Sequence, residues 1–101
     1  MNDTVAQLRL QETRLHLGGV VHFDNAEKIC NDGLKLLKNA PKQITIDMQH
    51  LQSSHSVVLA ILVSWTRAAH QAKQSLLMAN MPDKLRALIK VSGLTDALPE
   101  S

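Results

Sequence analysis

The sequence predicts an α/β domain in which a mixed four-stranded sheet, begun by an N-terminal hairpin and continued by β-α units, is covered by helices. Three observations carry this. Apolar and polar residues alternate at the start of the chain, the period of a half-buried strand; later stretches repeat every three to four residues, the period of a helix; and short β-rich runs separate the helical ones. The resulting order, β-β-α-β-α-β-α, asks for parallel strands joined by crossover helices after the first antiparallel pair. At 101 residues the chain holds one modest core, expected to run from about 4 to 98 within a single domain, 1–101.

Each element follows from local pattern. Val5, Gln7 and Arg9 alternate with Ala6, Leu8 and Leu10; Leu15 and Leu17 continue the period, with Glu12 and Thr13 as the hairpin turn and Gly18-Gly19 closing the segment. Asp24 is the expected N-cap of the first helix, and Glu27, three residues on, completes a capping box. Ala26, Ile29, Cys30, Gly33, Leu34 and Leu37 mark its apolar face, which ends before Pro41. Residues 43–48 form a β-rich run with Ile44 and Ile46 on one side. Ser56 opens a second helix running to about Lys73 and turning polar near Arg67. Its start, VVLAILVSW, is β-branched enough for a strand, but the apolar pattern reaches Ala68, Ala69 and Ala72, too long for one. Residues 75–79 form a short buried strand. Pro82 in a first turn, with Asp83 behind it, starts a third helix that Gly93 stops. The tail TDALPES is expected to add one turn and then fray.

Composition excludes several classes. Only Phe23 and Trp65 are aromatic, so the core must be aliphatic. A net charge of +2 with scattered basic residues lacks the basic, aromatic-interleaved stripe of nucleic-acid binders, so no nucleic-acid partner is expected. The single cysteine, Cys30, rules out an internal disulfide and fits a reducing compartment. The first residues, MNDTVAQLRLQ, show no secretory signal pattern. The longest apolar run, 57–63, falls well short of the roughly 20 residues of a membrane span. No direct membrane insertion is expected, and the expected location is cytoplasmic.

His16, His22, His50, His55 and His70 show no His-x-x-x-His spacing and no cysteine pair, so neither a metal nor a cofactor is expected. Ser56, His55 and Asp47 supply the side chains of a hydrolase triad, but no Gly-x-Ser-x-Gly elbow surrounds them, and no catalytic residues are expected. What stands out is a strand ending Ile46-Asp47-Met48, a Ser/His-rich loop over 53–56, and an apolar helix start. A serine there is a preferred N-cap worth about 1 kcal/mol. It also sits where backbone N–H groups and the helix dipole favour negative charge, which suits a phospho-acceptor or a contact residue. Trp65, one step before the polar switch, reads as core or as an interface anchor.

This arrangement resembles the STAS domain family of sulfate transporters and anti-sigma factor antagonists. There a strand ends Ile-Asp-Leu, an Asp-Ser/Thr pair begins eight residues after its aspartate with glycine close behind, and a helix begins Leu-Ala-Leu-Leu. Here His55 lies eight residues past Asp47, Ser56 is next, and Leu59-Ala60-Ile61-Leu62 falls where Leu-Ala-Leu-Leu belongs. Gly19, Phe23 and Asp24 resemble the family's Gly-x-Leu-x-Phe-Asp stretch. The run from Met81 through Leu88 and the Ser92-Gly93-Leu94 turn resemble its closing helix. The resemblance spans about residues 4–98.

The resemblance implies a non-enzymatic role. The chain is most similar to the short stand-alone members that serve as cytoplasmic subunits of Mla-type ABC phospholipid transporters. That similarity implies docking on the transporter's ATPase subunit and support of its assembly and activity, in a complex that maintains outer-membrane lipid asymmetry. It also implies contact with permease and periplasmic carrier only through the complex, and a peripheral place at the inner membrane; a homodimer is left open. Because the helix start is apolar almost all round, the expected partner-binding residues are His55, Ser56, Val57, Val58, Leu59 and Trp65, with parts of the first helix. The departures point the same way. His55 replaces the family's aspartate, and the β-branched Val57 and Val58 stand where small residues are usual, stiffening the helix entrance. The alternative is an anti-sigma factor antagonist switched by phosphorylation of Ser56.

Overall fold

The computed structural model describes residues 6–52 and 56–100. Seven elements follow in the predicted order: β1 (Gln7–Gln11), β2 (Arg14–Gly18), α1 (Phe23–Lys38), β3 (Gln43–Asp47), α2 (Ser56–Gln71), β4 (Ser75–Ala79) and α3 (Asp83–Val91). The strands lie side by side in chain order. β1 runs antiparallel to β2 through the Glu12-Thr13 turn, while β2, β3 and β4 are parallel.

The sheet has two unlike faces. Leu15, Leu17, Ile44, Ile46, Leu76 and Met78 are buried, whereas Arg9, Arg14, Gln43, Ser75 and Leu77 alternate with them on an exposed face. Period-2 alternation has this consequence when only one face is packed. α1 and α2 pack against each other over the covered face. Their approach is set by Gly33, where an added Cβ would lie 2.3 Å from Cε2 and Cζ2 of Trp65. With no side chain in the way, the indole reaches the α1 backbone and donates from Nε1 to the Cys30 carbonyl oxygen at 3.0 Å.

Two local expectations are corrected. α1 is capped by His22 and not by Asp24: His22 Nδ1 accepts from the Asp24 N–H at 3.3 Å. Asn25, not Glu27, closes the box by accepting the His22 N–H at 2.9 Å. The Asn25 amide also donates to the Val20 carbonyl at 3.0 Å, which ties it to the chain entering the helix. An imidazole nitrogen can serve as a cap acceptor, although the usual capping residues carry oxygen.

The tail, as far as Glu100, is held rather than frayed. Gly93 at φ 74° closes α3, with its own N–H on the Lys90 carbonyl and the Leu94 N–H on the Ile89 carbonyl, a Schellman pair. The chain then buries Leu98 and returns beside β4, where the Met78 N–H donates to the Pro99 carbonyl at 2.8 Å. Arg86 grips both oxygens of Glu100, at 2.8 and 3.0 Å, and Asp83 at 2.8 Å. The hydrogen bonds from Arg86 hold the Glu100 carboxyl below its ordinary range.

Candidate docking site at the carboxyl ends of β2 and β3

β3 ends at Asp47, which belongs to the uncovered face of the sheet yet is only 5% exposed. Arg14 Nε donates to Oδ2 at 2.8 Å; Asn80 Nδ2 and the Gln49 backbone N–H both donate to Oδ1 at 3.0 Å. Burial pushes this carboxyl up, but the hydrogen bonds from Arg14, Asn80 and Gln49, with the Arg14 charge, outweigh it and hold it at about 2. The bond to Gln49, two residues on, bends the chain as it leaves the strand. Asp47 therefore organises the turn that leads toward Ser56.

The next residues are laid alongside the end of β2. The Gly19 N–H bonds the His50 carbonyl at 3.0 Å, and the Gln52 N–H bonds the Gly19 carbonyl at 2.8 Å. This stitch brings the entrances of both helices to one pole, because Phe23 stands four residues after Gly19 and Ser56 four after Gln52.

Ser56 is the first residue of α2 and is exposed. His55, its neighbour in the expected pair, lies outside the described residues. Val57 is half-buried, and Ala60 and Ser64 continue the exposed side of the helix. Val58, Leu59 and Trp65, expected to bind a partner, are instead buried core side chains, Val58 and Trp65 at 0% exposure. The reason is geometric: Val58, Ile61, Leu62, Trp65 and Ala69 recur at helical spacing and form one stripe toward the sheet. The run looked apolar all round because small or half-buried residues occupy its other side.

The aromatic side chain that this pole does expose is Phe23, at 85%. Its spacing of three before Ala26 hides it within the buried stripe of α1, and only the start of the helix at Phe23 itself reveals it. Among the described residues, no three His, Cys, Asp or Glu side chains gather as a metal would require, and no helix is long and apolar enough to cross a membrane.

Comparison with known proteins agrees with this architecture. A family model described as an Mlab-type STAS domain matches residues 4–100. No curated protein matches the chain. The fold is similar to the solved structure of the anti-sigma factor antagonist SpoIIAA in its unphosphorylated form, with a TM-score of 0.74 and 15% identity over 96% of this chain and 88% of that one.

Proposed function

This chain belongs to the STAS domain family, most like its MlaB members, and on that premise we propose that it is the non-enzymatic accessory subunit of an Mla-type ABC phospholipid transporter. It binds the transporter's cytoplasmic ATPase, supports assembly and activity of the complex, and so helps to maintain outer-membrane lipid asymmetry. Its location follows from that contact: cytoplasmic, and peripheral to the inner membrane through the complex. The single observation that carries the reading is the match to the MlaB-type family model along residues 4–100. The surface is consistent with it. Exposed Phe23 and Ser56, with half-buried Val57, combine an aromatic anchor with a stiff apolar rim, the composition of a protein-contact patch.

Co-purification tests this reading directly. The chain should be retained with the ATPase and permease subunits when all are produced at native ratios, and failure to be retained would sink the proposal.

A second reading is favoured by one observation, the exposure of Ser56 in the first turn of α2. In an anti-sigma factor antagonist, a phosphate there would add about −1.5 to −2 charge at a site that helix geometry favours, and would eject the bound partner. Intact-mass measurement on protein from growing and stressed cells separates the two readings. Stoichiometric phosphate on Ser56 supports the switch; its absence in both states supports a permanent contact.

A further inference from the structure

A cleft of about 410 Å³ opens on the uncovered face of the sheet, bounded by Gln7, Arg9, His16, Gly18, Gln49 and His50, with Asp47 at its side. We infer that this cleft binds a phosphate group. Its floor is Gly18, which pairs with Gln7 across the hairpin. The Gly18 backbone is outside the left-handed region, so nothing in its conformation asks for glycine, and strand propensity argues against one. An added Cβ at Gly18 would come within 3.3 Å of His50 Cβ, narrowing the depression. Glycine keeps it open.

Arg9, His16 and Asp47 form one row across three strands, with Arg9 opposite His16 and His16 opposite Asp47. Asp47 would repel an anion if its charge were bare. That charge is met by Arg14 at 2.8 Å and by Asn80 and the Gln49 N–H at 3.0 Å. Arg9 is exposed and its side chain makes no hydrogen bond or ion pair among the described residues, so its fork of donors is uncommitted. An arginine fork, the His50 imidazole, the His16 imidazole with its Nδ1 3.9 Å from Asp47 Oδ2, and Gln7 and Gln49 around an open bowl match the several acceptor oxygens of a tetrahedral phosphate. A planar carboxylate, with two oxygens, offers this set of donors fewer acceptors than the three or four oxygens of a phosphate.

Two sources present this chemistry, free phosphate and a phosphate ester on a larger molecule, and the experiment distinguishes them. Amide NMR shifts of the full chain are followed while inorganic phosphate is added, and in a second arm glycerol phosphate, each against chloride at matched ionic strength. Saturable shifts confined to Arg9, His16, Gly18 and His50 are expected, with a Kd of about 1 mM. Arg9→Ala should weaken binding by about tenfold and Arg9→Glu should abolish it, both with unchanged melting temperature. Tighter binding of the ester assigns the site to a phosphate carried on a larger molecule; tighter binding of inorganic phosphate assigns it to the free ion. Shifts no larger than those in chloride, shifts centred elsewhere, or binding that survives Arg9→Glu would overturn the inference.

Discussion

Replacing Gly33 by alanine sets two opposed effects against each other, and the structure decides which wins. In a helix interior, alanine is favoured over glycine by about 1 kcal/mol, so helix propensity alone predicts a more stable protein. The new Cβ, however, would fall 2.3 Å from two carbons of the Trp65 indole and 2.5 Å from its Nε1. Overpacking of this kind costs about 1–3 kcal/mol. Moving the ring also breaks the 3.0 Å bond from Nε1 to the Cys30 carbonyl, and leaving that buried donor unpaired costs about 1–3 kcal/mol more. The net expectation for Gly33→Ala is a loss of about 3 kcal/mol, a fall in melting temperature of roughly 15 °C for a domain of this size. Trp65 is the only tryptophan, so its fluorescence reports both the unfolding transition in urea and the displaced ring. In a double-mutant cycle followed by circular dichroism, Trp65→Phe should recover part of the loss, because the smaller ring vacates the contested space. A Gly33→Ala protein as stable as its parent, with unchanged emission, would refute the reasoning.

Other perturbations test the site and the fold. The Asp47 carboxyl is lowered from 3.8 to about 2, so its contribution is complete above about pH 4 and disappears as pH falls through 2. At 1.36 kcal/mol per pH unit this amounts to about 2 kcal/mol; acid unfolding of Asp47→Asn should show a correspondingly flatter profile between pH 4 and 2. Val57→Glu should leave the protein folded but prevent capture of the ATPase, whereas Val58→Glu should abolish cooperative unfolding, because Val58 is wholly buried. Phe23→Ala should leave the melting temperature unchanged and weaken ATPase binding by about tenfold, measured by interferometry. Leu98→Ala should cost about 2–4 kcal/mol in denaturant unfolding, a loss that a frayed tail would not produce.

The sheet and helices were legible because their signals are periodic and redundant. Leu15, Leu17, Ile44 and Ile46 each occupy the face that alternation assigns, and the stripe of α1 from Ala26 to Leu37 is the one that packs. Misreadings arose where a single side chain decides the outcome. The His22 cap depends on a ring nitrogen that happens to reach the Asp24 N–H, and no pattern in the sequence selects it over Asp24. The fate of Leu98 depends on a chain reversal after Gly93 that brings the tail back to β4. For the pole around Ser56, the spacing from Asp47 to Ser56 was readable but the burial of its residues was not. Val58 and Trp65 sit on the inner stripe of a helix whose outer side, rich in small residues, carries no strongly polar marker before Arg67. The cleft over Gly18 had no sequence motif at all, since hairpin register brings Arg9 beside His16 and the turn after β3 supplies His50.

The return of the tail to β4 has a consequence for how this protein behaves in concentrated solution. β4 ends the sheet, and an outermost strand with free backbone groups is a template on which a neighbouring molecule can add its own strand. The Met78 N–H is already taken by Pro99, and the clasp of Arg86 on Glu100 keeps that segment in place. Variants that break the clasp should therefore self-associate before they lose their fold, which makes turbidity an earlier sign of damage here than loss of helix.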